Sequence, residues 1–208
     1  GGFIKQLEER LPNPVMWDIC LMHLPPIPFE SLFEYIDGSV TKNRETWTGP
    51  IGKKFNMAKE DYPPVNPKFV PIKGKVQFLT EIEDLNKDLQ LLLEFSWAVQ
   101  NGPGTFQPNL MKRTIGHVHK ARWHNNCTSI LKQYVTSPKP SLKLIKLCTI
   151  ILNWYVPFLQ YIRENWRLEQ GAKCYFYGMQ LAMQLPCQLN KVEIGIFKTK
   201  FQNNSYMA

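Results

Sequence analysis

Apolar residues recur at helical spacing along the 208-residue chain, and each recurrence is bounded by proline or glycine. Ile4, Leu7 and Leu11 share one face before Pro12 and Pro14, which predicts a short N-terminal helix. Val15 to Leu24, VMWDICLMHL, is a compact apolar run that fits a buried strand or a short buried helix equally, since periodicity does not separate the two at that length. Pro25, Pro26 and Pro28 end it, each fixing φ and removing an N–H donor. Phe29, Leu32, Phe33 and Ile36 form the next helical face, closed by Asp37-Gly38. From there to about Lys75 the chain is rich in Pro, Gly and Lys, with only a short extended piece expected at Lys68 to Ile72. A loop-dominated passage of this length is uncommon in a compact domain unless it carries function.

The second part of the chain is periodic almost throughout. Thr80 and Glu83 form a capping box for a helix whose stripe is Ile82, Leu85, Leu89, Leu92 and Leu93, and Gly102-Pro103-Gly104 breaks it. A second long helix is expected from about His117 to Val135, stopped by Pro138 and Pro140. Ser141 opens a third, with Leu144, Leu147, Cys148, Ile151 and Leu152 on one face, broadened by Leu142 and Ile145. Pro157 should kink or end it, and Gly171 to Leu185 continues as helix to Pro186. Val192 to Phe201 alternates partly like a strand and also fits a helix. The expected class is therefore mainly α: a loop-rich N-terminal third, residues 1–78, and a basic helical domain, residues 79–208.

Charge changes this picture. Residues 1–100 hold 11 Lys and Arg against 14 Asp and Glu, whereas residues 101–208 hold 14 against 3. A half so short of carboxylates repels itself unless a polyanion or an acidic partner neutralises it, which favours nucleic acid first and an anionic membrane surface second. The longest apolar passage, Leu144 to Leu159, is interrupted by Lys146, Asn153 and Pro157, and it reads as too short and too polar to span a bilayer. No membrane partner is expected. Five scattered cysteines lack the dense spacing of a small secreted scaffold and point to a reducing compartment. The opening GGFIKQLEER contains no cleavable apolar run and suggests a fragment of something longer.

Candidate chemistry is sparse. Cys20 and His23 form a C-x2-H pair, but zinc needs further converging ligands, and His117, His119 and His124 lie far along the chain, so no metal site is assigned. Cys127 follows His124 by three residues, a helical spacing that suits a thiol and its base, with no third orienting group in view. Gly49-Pro50-Ile51-Gly52-Lys53 lacks the spacing and the following Ser or Thr of a phosphate-binding loop, so a turn is its expected role. The better candidate is the basic segment Lys112, Arg113, Lys120, Arg122 and Trp123. Cations neutralise phosphates, and an exposed indole stacks on an unpaired base. The alternative places Trp123 in the core and leaves the cations solvated.

Trp17-Asp18-Ile19-Cys20-Leu21-Met22-His23, Asp37-Gly38, Thr48-Gly49-Pro50-Ile51-Gly52-Lys53 and His119-Lys120-Ala121-Arg122-Trp123, in that order, resemble a group of animal proteins that look derived from mobile elements. More distantly, the C-x2-H followed by an Arg-Trp pair is similar to the hAT superfamily of DNA transposases. The resemblance implies a ribonuclease-H-like core interrupted by an all-helical insertion, with three carboxylates holding two divalent metals. It implies that Arg122 and Trp123 sit at a displaced base, and it offers Asp18, Asp37 and Glu193 as carboxylates without assigning them. The function expected is a DNA-binding, nuclear, helical part of a transposase-derived protein, catalytically incomplete and without a cofactor. The alternative is a helical interaction module whose basic half docks an acidic partner.

Overall fold

The computed structural model describes residues 24–41, 46–55, 57, 61–77, 85–115, 123–165, 170–185 and 189–202. The helix expected over Phe3 to Leu11 and the C-x2-H pair Cys20 and His23 lie outside them. Among the described residues the architecture is mainly α, and the sole strand-like pairing is an isolated bridge between Val40 and Trp47.

Helix α1, Pro26–Ile36, begins earlier than its apolar face suggested, because proline is tolerated in a first turn whose N–H groups have no intrahelical partner. It buries Phe29, Leu32, Phe33 and Ile36, as the spacing predicts. Helix α2 is Lys87–Asn101, a later start than the one expected at Thr80; the capping box Thr80 and Glu83 lies outside the described residues. Asn86 is the cap: its side chain accepts the Leu89 N–H at 2.9 Å while its own backbone is extended, so no helix runs through it. Gly102 ends α2 with φ +93°, a conformation open to glycine.

Helix α3, His124–Thr136, starts later than the expected His117, and every one of its residues is buried. This is unusual for the sequence HNNCTSILKQYVT. Several of its polar side chains survive burial because partners meet them, although Asn126 Oδ1 has none among the described residues. Thr128 and Thr136 donate to carbonyls one turn back, Gln133 Nε2 donates to Ile51 O at 3.1 Å, Tyr134 Oη donates to Val70 O at 2.6 Å, and Ser129 pairs with Tyr62 at 2.8 Å. Three of these ties run to the loop-rich third. Helix α3 therefore acts as the post to which aperiodic chain is bound.

Segment 72–77 is held the same way, and no strand forms at Lys68 to Ile72. The side-chain amide of Gln100 both accepts from Val76 N and donates to Val76 O, and Gln160 does the same for Gln77. Two glutamines thus supply the pairing that a neighbouring strand would otherwise give.

Helix α4, Leu142–Ile150, is capped by Ser141, whose Oγ accepts from Leu144 N at 3.2 Å. It passes through a π-helical turn, Ile151–Tyr155, into α5, Val156–Glu164. The turn explains why Pro157 does not end the helix: the Val156 N–H reaches Ile151 O, and the locally widened ladder accommodates the missing proline donor. By length and composition the continuous helix Leu142–Glu164 is apolar enough to cross a membrane, a correction to the sequence reading; two-thirds of its apolar window is buried inside the fold. Leu142, expected to broaden the apolar face, is instead 86% exposed. Helix α6, Gly171–Met183, packs on α5 and on α7, Lys191–Gln202, so the Val192 to Phe201 pattern resolves as helix. Side chains from Leu24 to Phe197 enter one hydrophobic cluster, including residues on both sides of position 78.

Candidate functional site

Of the five residues expected to contact nucleic acid, Lys120 and Arg122 lie outside the described residues. Trp123 is fully buried, which corrects the expectation of an exposed stacking face. Its indole sits among Phe29, Phe33, Trp47 and Phe55, with ring centroids 5.3 to 6.2 Å away. Four rings contributed by α1 and the loop after it remove more apolar surface from water than a single stacked base would. The indole Nε1 has no hydrogen-bond partner among the described residues, so the ring is held by packing alone.

Arg113 is also committed. It forms an ion pair with Glu94 on α2 and donates to Lys87 O at 3.5 Å. Its carbonyl in turn accepts from the Lys132 ammonium at 2.9 Å. Lys112 is exposed and has no side-chain hydrogen bond or ion pair among the described residues.

The remaining candidates have structural roles. The Asp37 carboxylate accepts the main-chain N–H groups of Ile51 and Gly52, so the Gly49–Lys53 turn is an anion nest already filled by the protein's own carboxylate. Gly49 is required there, since an added Cβ would lie 1.9 Å from Asp37 O. Glu193 is buried, bridges Lys146 at 2.8 and 2.9 Å, and accepts from Asn190 N. Asp18 lies outside the described residues, and no three His, Cys, Asp or Glu side chains converge among those described. Cys127 does not pair with His124, whose Nδ1 meets Tyr155 Oη at 3.2 Å. Burial pushes the Cys127 thiol well above its ordinary range, which opposes thiolate formation.

What the sequence reading missed is a groove beside Lys112. Tyr62, Pro63, Pro64, Val65 and Pro67 from one loop, and Pro103, Gly104, Phe106, Met111 and Lys112 from another, line a volume of about 900 Å³. Two loops some forty residues apart meet here because each is tied down separately. Tyr62 is fixed by Ser129 on α3, and the Lys132 ammonium lies 5.5 Å from its ring centroid. Phe106 stands edge-on to Phe69 and Phe95, at 6.2 and 5.6 Å. The groove is thus a fixed, largely apolar surface with one charged residue, Lys112, among the described residues of its lining. The available signal was the density of prolines around aromatics at 62–67 and 103–106. No protein-family model matches this chain, and comparison with curated proteins and with solved structures gives no match.

Proposed function

We propose that this chain is a helical protein-interaction module that docks an acidic partner, and that the Lys112 groove receives a segment of that partner. The observation that carries the reading is the groove itself: largely apolar walls on anchored loops, with a cation that makes no ion pair among the described residues. Apolar contact supplies affinity, and the positive half of the chain selects an acidic partner and speeds encounter. The test is selection from a random peptide library on the full 208-residue chain. Enrichment of Asp- and Glu-bearing peptides, with binding that weakens as salt rises, is the expected result. Binders without acidic residues, or no binders, would reject the reading.

A second reading is favoured by the 14 to 3 excess of cations over carboxylates in residues 101–208. A transposase-derived DNA contact would use those charges on the phosphate backbone, without Trp123 as a stacking ring. Salt-dependent retention of a labelled DNA duplex supports it; absence of retention at low salt excludes it.

A further inference from the structure

The groove wall is unusually poor in hydrogen-bond donors. Four of its residues, Pro63, Pro64, Pro67 and Pro103, have no main-chain N–H. A partner that adds as a β-strand draws its affinity from main-chain hydrogen bonds, and its carbonyls would find few donors here. A polyproline-II segment has no such need, because its backbone has no internal hydrogen bonds and stays solvated. Its ridges pack instead on apolar and aromatic faces, which the exposed prolines, Val65 and the half-buried Phe106 ring provide in the lining. At about 900 Å³ the groove has the size of a small-ligand site, enough for a few residues of extended chain and not for the face of a folded domain.

We infer that the groove binds an extended, proline-rich segment with a carboxylate at its flank, its prolines lying against Phe106 and the exposed Pro63, Pro64 and Pro67, and the carboxylate meeting Lys112. Resting on the docking reading above, this names the conformation and chemistry of the occupant. Charge complementarity fixes the sign: Lys112 is the charged lining residue among the described residues, and Arg113 beside it is already neutralised by Glu94. Asp61, next to Tyr62 in sequence, is not part of the lining.

The experiment uses the full chain and three fluorescein-labelled heptapeptides: Glu-Pro-Pro-Leu-Pro-Pro-Glu, the same peptide with Lys in place of Glu, and Glu-Thr-Val-Thr-Val-Thr-Glu. The first is expected to bind, in fluorescence anisotropy, about tenfold more tightly than either of the others. Phe106→Ala should weaken it by about tenfold. Two surface variants keep the test valid if Phe106→Ala fails to fold. Gly104→Trp fills the groove from an exposed position where an added Cβ meets nothing within 4 Å, and should abolish binding. Lys112→Glu should reverse the preference toward the Lys-flanked peptide. Equal or tighter binding of the Thr-Val peptide, or binding untouched by Gly104→Trp and Lys112→Glu, overturns the inference. If the proline peptide fails to bind while library-selected acidic peptides do, the occupant is wrong and the docking reading stands. A library that returns no acidic binder removes that reading as well.

Discussion

Gly52 donates its main-chain N–H to Asp37 Oδ2 at 2.8 Å, across fifteen positions of sequence. This bond, with the one from Ile51 at 3.1 Å, closes a loop that has no helical period and one isolated bridge to shape it. The same loop carries Trp47 and Phe55 onto Trp123.

Asp37→Ala leaves two buried donors without their acceptor and should destabilise the fold by about 3 kcal/mol, given the strength of hydrogen bonds to charged groups. Asp37→Asn keeps one acceptor oxygen and should be milder. Gly49→Ala should resemble Asp37→Ala, because its Cβ would strike Asp37 O. Urea titration followed by circular dichroism ranks the three; equal stability of Asp37→Ala and the parent would contradict the latch.

Trp123→Ala should remove about 3–5 kcal/mol, the usual consequence of deleting a large ring from a core. Trp123→Phe should lose less than about 2 kcal/mol, since the lost volume is partly offset by removing a buried N–H that has no partner among the described residues. Thermal denaturation distinguishes this from a surface role, in which both variants would melt like the parent.

Helices α5 and α6 meet at Gly178, whose carbonyl accepts from Trp154 Nε1 at 2.9 Å. A Cβ there would lie 2.4 Å from the Phe158 ring. Gly178→Ala should therefore destabilise by about 1–3 kcal/mol through overpacking, and Phe158→Leu added to it should recover part of the loss. A double variant weaker than the sum of its parts would refute the contact.

Burial raises the Cys127, Cys148 and Tyr155 side chains well above their ordinary values of 9.0, 9.0 and 10.0. Below pH 9.0 both the folded and the unfolded chain hold these protons, so their contribution to stability is fully present. Above it the unfolded chain releases them first, and stability should fall as pH rises toward the raised folded values. Chemical denaturation at a series of pH values measures the slope. Cys127 and Cys148 should also resist a thiol reagent at neutral pH until the chain is unfolded, as site-resolved mass spectrometry would show.

The faces of α1, α2 and α4 were legible because burial of a stripe at helical spacing is a local matter, settled within two turns of chain. Helix starts were less legible. Asn86 caps α2, because capping depends on which residue leaves the helical backbone and not on residue type alone. For Trp123 the sequence left an exposed stacking face and a core position open; the rings that enclose it come from positions 29, 33, 47 and 55. The groove was invisible for the same reason, since its walls lie on separate loops.

By itself the sequence determined that the chain is mainly helical and that its carboxylates are concentrated in residues 1–100, which leaves residues 101–208 strongly positive. Those properties follow from hydrophobic period, backbone restriction and charge count, each readable over a few neighbouring residues. Only tertiary structure decided that a polar helix, His124–Thr136, lies at the centre, that Asp37 fills the Gly49–Lys53 turn, and that Trp123 is sealed. Most buried polar groups of this helix are met by partners, and some of those partners come from chain segments as far as 82 positions away.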